Sequence, residues 1–304
     1  MLHTTLRQIE VFVATARLGN LTQAAASIGL SQSAASTALA DFEHQLGTRL
    51  FDRLGKRLQL NDEGRALTPR AVELLARAHE LEDGFGQAAR AVHLRLGASS
   101  TIGNYLLPPL IGAFRQRRPG SRLDLEVGNT GDVLRALLRF EIDVGFIEGP
   151  CADPDIDTLP WRDDHLAICV PPGSPLAQPG GATVDALREA DWILRERGSG
   201  TREVVEQLLT SQLGQISVAM ELGGTEAIKR AVESGMGISC LSTVALTHEL
   251  ASGSLCVADA SALLLQRPLS IVLHKQKYRT AGITALLDFL RQDAYVPWRT
   301  LPRG

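Results

Sequence analysis

The stretch LTQAAASIGLSQSAASTALADFEHQLGTRLFDRLGKRLQLNDEG, residues 21–64, decides how the chain is read. Ser31 stands before a helix in which Ala35, Leu39, Phe42 and Leu46 recur at helical steps and form one inward stripe. The opposite face carries Gln32, Ser33, Ser36, Thr37 and Ala40, with no lysine or arginine. Upstream, Asn20 with Gln23 has the form of a capping box, and a second helix runs from there to Gly29. Leu6, Ile9, Val13 and Ala16 predict a first helix over residues 5–18, ended by Gly19. Alanines at 24 to 26, 34 and 35 leave little bulk where the second and third helices cross, as a helix-turn-helix requires. Downstream, Leu50, Phe51, Leu54, Leu58 and Leu60 alternate about Gly55-Lys56, which predicts two short strands with a basic tip, a wing.

Small polar side chains let a helix sit deep in the major groove of double-stranded DNA. Gln32 can pair with adenine edges, and the hydroxyls of Ser33, Ser36 and Thr37 tolerate several bases. Arg49, Arg53, Lys56 and Arg57 are the candidate phosphate ligands, helped by N–H groups at the helix starts near Asn20 and Ser31. Residues 1–60 carry six Lys/Arg against four acids, so this segment is net positive in a chain of net charge −3. An alanine-rich helical unit of this kind also fits a structural or protein-binding module.

The quoted stretch resembles the winged helix-turn-helix of LysR-type transcriptional regulators, and the similarity continues to the end of the chain. SQSAAS, FDRLGKRL and IEGPC look most like the YeiE-like branch. The chain departs from many relatives in placing Thr37 and Ala40 where they carry a base, so the resemblance implies readout that leans on DNA shape and the wing.

Residues 62–92 hold Leu67, Ala71, Leu74, Ala78, Leu81 and Phe85 at heptad spacing, a pattern that suits either a pairing seam or a core helix. The resemblance implies the former: a linker helix through which homodimers form, with tetramers beyond them and two half-sites of approximate dyad symmetry. From His93 onward strand and helix patterns alternate, which predicts mostly parallel sheets with helices on both faces. The resemblance implies an α/β effector domain like a periplasmic binding protein, crossed twice by the chain. The resulting division is a winged domain over 1–61, a linker helix over 62–92, lobe I over 93–161 and 267–304, and lobe II over 162–266.

Ligands of open α/β sheets bind beyond the carboxyl ends of strands. Three helix-entry turns have suitable chemistry: Ser99, Ser100 and Thr101; Gly200, Thr201 and Arg202; and Gly224 with Thr225. Each offers N–H groups and hydroxyls, and Arg202 adds positive charge, so the cleft suits a small anion. Each turn alone also reads as a simple helix cap. Asn129 and Glu148 match pocket positions of the family; Glu148 would repel an anion unless protonated or paired with Arg202. The branch resemblance implies a sulfur-related inorganic anion, with aromatic and carboxylate effectors as alternatives.

Other classes fit less well. No GxSxG, Walker loop or dinucleotide glycine pattern is present, so no enzymatic activity and no cofactor are expected. The seven histidines lack metal-ligand spacing, and no metal is expected. The four cysteines lie far apart without CxxC, which suggests free thiols, with a redox-sensing pair as the alternative. No apolar run reaches the roughly 18 residues of a membrane span, and the N-terminus is unlike a signal peptide, so a cytoplasmic protein is expected. A solute-binding receptor remains the alternative for the C-terminal part alone, and a ligand-independent DNA-binding protein for the whole. RNA polymerase is a further candidate partner.

Overall fold

A computed structural model describes residues 3–54, 57–83, 91–260 and 263–292. Its first unit is built as the caps and stripes require. Helix α1 (Leu6–Leu18) opens on a capping box between Thr5 and Gln8, and α2 (Leu21–Ser27) opens on Asn20, whose side chain accepts from the amides of Thr22 and Gln23. Helix α3 (Gln32–Leu46) opens on Ser31 and buries Ala35, Leu39 and Phe42. Phe12 of α1 fills the centre, with ring centroids 5.8 Å from Phe42 and 5.6 Å from Phe51. The wing is the antiparallel pair β1 (Phe51–Leu54) and β2 (Arg57–Leu60), with Phe51 opposite Leu60. Two bonds fix it to the helices: the Leu50 amide donates to Glu43 Oε1 at 2.7 Å, and the Leu58 amide to the Gly19 carbonyl at 2.9 Å.

Helix α4 (Asp62–Asp83) leaves the wing through a close approach. A Cβ on Gly64 would stand 2.2 Å from the Leu50 carbonyl oxygen, so only glycine permits this exit. The heptad stripe then divides. Leu67 and Ala71 pack into the winged core with Val72 and Leu75, whereas Leu74 and Leu81 are exposed. Phe85, the last seam residue expected from sequence, lies outside the described residues.

The remainder forms two lobes. Strands β3 (His93–Ser99), β4 (Arg122–Gly128) and β5 (Val144–Glu148) alternate with α5 (Leu107–Arg117) and α6 (Thr130–Leu138). Strand β6 (Ile156–Val170) leads to α7 (Val184–Glu189), β7 (Asp191–Arg195), α8 (Gly200–Leu213), β8 (Ser217–Leu222), α9 (Thr225–Glu233), β9 (Ser239–Ser242), α10 (Thr247–Ser252) and β10 (Cys256–Val257). Strand β11 (Gln266–His274) returns to the first lobe, and α11 (Ala281–Gln292) packs there through Phe289 on Phe114. The strand order is β10-β6-β11-β5-β3-β4, with β9 also on β6.

The expectation of mostly parallel sheets is corrected. Parallel pairing is confined to β3–β4, β3–β5 and β7–β8 among the named strands, while β11 runs against both β5 and β6, and β9 and β10 run against β6. The cause is connectivity: β11 comes back from the second lobe and inserts between β5 and β6. Strand β6 serves both lobes, pairing with β11 over its first part and with β9 and β10 over its last. Two separate cores result, one around Phe114 and Phe146, the other around Trp192 and Leu209. Among the described residues no helix is long and apolar enough to cross a membrane.

Candidate effector cleft and nucleic-acid face

The strand ends of the two lobes meet around a fully buried arginine that the sequence reading missed. Arg267, at the start of β11, donates from Nη1 to Glu148 Oε2 and to Thr201 Oγ1, both at 2.8 Å, from Nη2 to Thr101 Oγ1 at 3.2 Å, and from Nε to Asp164 Oδ2 at 2.7 Å. Glu148 is saturated in turn, accepting from the Thr101 amide at 2.8 Å and the Thr201 hydroxyl at 2.5 Å. Burial pushes the Glu148 carboxyl up, but Arg267 and the bonds from Thr201 and Thr101 outweigh it and hold the group below its ordinary range. The Glu148 charge left open by the sequence is therefore neutralised by Arg267, not by Arg202. Gly200 makes the approach possible: a Cβ there would lie 1.9 Å from the Glu148 carbonyl oxygen.

A second interlobe cluster surrounds Arg195, also missed. Its Nη2 donates to Ser100 Oγ at 3.2 Å and to Glu196 Oε1 at 2.9 Å, its Nε to Glu196 Oε2 at 2.8 Å, and its Nη1 to Thr225 Oγ1 at 3.4 Å. Asn129 caps α6 and reaches across to Glu196 Oε1 at 3.4 Å. Nearby, Tyr105 donates to Glu226 Oε1 at 2.5 Å, again between lobes. Of the expected residues, Thr101, Glu148 and Thr201 meet at Arg267, while Ser100, Asn129 and Thr225 meet around Arg195. Ser99 lies behind both, its hydroxyl 3.0 Å from that of Thr130 and accepting from the Glu148 amide. Arg202 turns away: it donates to the Arg195 carbonyl at 2.9 Å and pairs with Glu206 and Glu221.

The buried pairs predict the acid limb of stability. Asp143 is pushed up by burial but held far below its ordinary range by Lys277 and Arg95, in the same direction as Glu148. A depressed carboxyl means that the unfolded chain takes up protons first as pH falls, so this stability is complete above the ordinary carboxylate range and is lost below it. Urea midpoints should be flat from about pH 7 to about pH 5 and fall steeply below about pH 4. Substituting Asp143→Asn should flatten that fall.

At the other end of the chain, Gln32, Ser33, Ser36 and Thr37 are all exposed, opposite the buried stripe of α3. Arg49, Arg53 and Arg57 are exposed as well, and Lys56 lies outside the described residues. Of the cysteines, Cys169 and Cys240 are buried and pushed up by burial, Cys169 to about 12, whereas Cys151 and Cys256 are half-buried. Among the described residues no group of His, Cys, Asp and Glu could hold a metal ion.

Residues 6–65 match the family model described as "Bacterial regulatory helix-turn-helix protein, lysR family", and residues 87–294 match "LysR substrate binding domain". The chain is 48% identical over 288 residues to the uncharacterized HTH-type transcriptional regulator YeiE of Escherichia coli (strain K12), covering 95% of this chain and 97% of that protein. It is 32% identical over 292 residues to the HTH-type transcriptional activator CmpR of Synechocystis sp., covering 95% and 96%. Full-length OxyR from Pseudomonas aeruginosa superposes with a TM-score of 0.74 at 26% identity, covering 96% of both chains. The regulatory domain of Synechocystis CcmR in complex with 2-PG superposes with a TM-score of 0.59 at 31% identity, covering 65% of this chain and 95% of that one. A winged helix-turn-helix joined by one helix to a two-lobed α/β domain, matched along nearly its whole length, belongs to the LysR family of transcriptional regulators.

Proposed function

We propose that this regulator reads promoter DNA with Gln32, Ser33, Ser36 and Thr37, holds phosphates with Arg49, Arg53, Lys56 and Arg57, and senses a small anion on Arg195. The working units are a winged domain over 1–61, a linker helix over 62–92, lobe I over 93–161 and 267–304, and lobe II over 162–266. The observation that carries the anion reading is the different neutralisation of the two buried arginines. Arg267 already faces two buried carboxylates, Glu148 and Asp164, so a further anion there would meet excess negative charge. Arg195 faces one, Glu196, whose side chain is 24% exposed. An anion that displaces Glu196 inherits donors from Arg195 and Asn129, and the Thr225 hydroxyl at the start of α9. It also breaks the Asn129–Glu196 contact between lobes, which gives the ligand differential affinity for two lobe arrangements. The complex of the CcmR regulatory domain with 2-PG supports a small metabolite in a domain of this fold.

The test is calorimetric titration of the full-length protein with sulfite, sulfate, inorganic phosphate and small carboxylates, after a thermal-shift screen of the same panel. An anion that binds wild type should lose about ten- to a hundredfold in affinity on Arg195→Gln, the worth of a charge-assisted hydrogen bond. Glu196→Gln should tighten the same anion by removing its internal competitor. Wild-type affinity in Arg195→Gln, or stabilisation by neutral compounds alone, contradicts the assignment.

A further inference from the structure

Lobe I also touches the winged domain of its own chain, through an unusual residue. Phe140, after α6, is the one non-glycine residue of positive φ among the described residues, at 57°. It is buried and belongs to the winged domain's cluster with Phe12, Leu39, Phe42 and Phe51. Its other side faces His274, with ring centroids 4.3 Å apart, and the Lys277 ammonium lies 5.9 Å from its ring. Arg17, in the last turn of α1, is half-buried at the same junction, and its Nε, itself buried, has no hydrogen-bond partner. The charges around it are Arg95, Asp143 and Glu141. Asp143 accepts from Arg95 Nη2 at 2.8 Å and from Lys277 Nζ at 2.7 Å, and Arg95 Nη2 also donates to the Phe140 carbonyl at 3.1 Å. Further along, Arg77 of α4 lies over the Tyr278 ring at 4.8 Å.

Four elements of lobe I join this junction to the cleft. Strand β3 runs from Arg95 to Ser99, β5 runs from beside Asp143 to Glu148, β11 runs from Arg267 to His274, and α6 runs from Thr130 towards Phe140. We propose that Phe140 and Arg17 form a releasable latch that seats the winged domain on its own lobe I, and that these elements couple the latch to the opening of the interlobe cleft. The seated state contains a left-handed backbone at Phe140 and an unpaired buried donor at Arg17 Nε, and both disfavour it relative to a released state. A change at the cleft that favours either state would then shift the DNA-binding unit. The latch stands apart from the identity of the ligand.

Coupling is reciprocal, so releasing the latch must alter the cleft with no ligand present. Phe140→Gly removes the ring while suiting the left-handed backbone, which keeps the turn intact. Arg17→Met tests the same junction from the winged side. In full-length protein without ligand, hydrogen exchange at amides 11–17 of α1 should rise about tenfold in both variants, and exchange at residues 198–203 should change with it. Protection in the centres of β3 and β5 should persist, which separates release from unfolding of lobe I. Unchanged exchange in α1 in both variants overturns the latch. Faster exchange in α1 with residues 198–203 unchanged overturns the coupling.

Discussion

Arg267→Met is expected to destabilise the effector domain by about 3–5 kcal/mol, because it leaves Glu148 and Asp164 buried without their counter-charge. That corresponds to a fall in melting temperature of about 10 °C for a domain of this size. Restoring neutrality should recover much of the loss, so Arg267→Met combined with Glu148→Gln and Asp164→Asn should melt well above the single variant. The comparison separates lost charge balance from lost packing. A single variant that melts with wild type would mean that water reaches and solvates the two carboxylates. A triple variant as unstable as the single one would assign the role of Arg267 to its hydrogen bonds with Thr101 and Thr201. Either way the winged domain should keep its fold, since Arg267 lies among lobe residues only.

The same arginine marks where sequence reading stopped. Periodicity and caps located α1, α2, α3 and the wing, because each of those signals is local: Asn20 and Ser31 bond to amides two or three residues away. The helix-entry turns were legible for the same reason. What Ser100, Thr101 and Thr201 face was not, since Arg195 and Arg267 reach them across 95, 166 and 66 residues of chain. A weak signal existed. Arg267, Leu269, Ile271 and Leu273 alternate along one face of β11, and an arginine in register with three buried apolar residues points inward. Nothing local could identify Asp164 as its partner, because Asp164 stands on β6, 103 residues away in the chain. Pro160, Arg162, Asp163 and Asp164 hid the first part of that strand, and its pairing with the returning β11 is what keeps it extended. The heptad on α4 was legible as a pattern but not as a partner, since a stripe does not say what covers it.

That stripe yields the second large effect. Leu74 and Leu81 are 47% and 68% exposed, on a helix whose earlier stripe residues, Leu67 and Ala71, are already committed to the winged core. If the exposed part is a two-fold seam, Leu74→Asp or Leu81→Asp places two carboxylates per dimer in an apolar contact, a cost of several kcal/mol for each uncompensated charge. Sedimentation velocity at micromolar concentration should then show monomers for either variant, with the circular dichroism of wild type. Operator affinity should fall by at least about a hundredfold, because a monomer engages one half-site alone. Leu67→Asp should behave differently: it strikes the packing of α4 on α1, so it should melt the winged domain rather than dissociate a folded dimer. Wild-type sedimentation of both the Leu74 and Leu81 variants would remove α4 from the dimer contact. The two exposed leucines would then need another cover, and the two-half-site model of DNA binding would have to rest on the lobes.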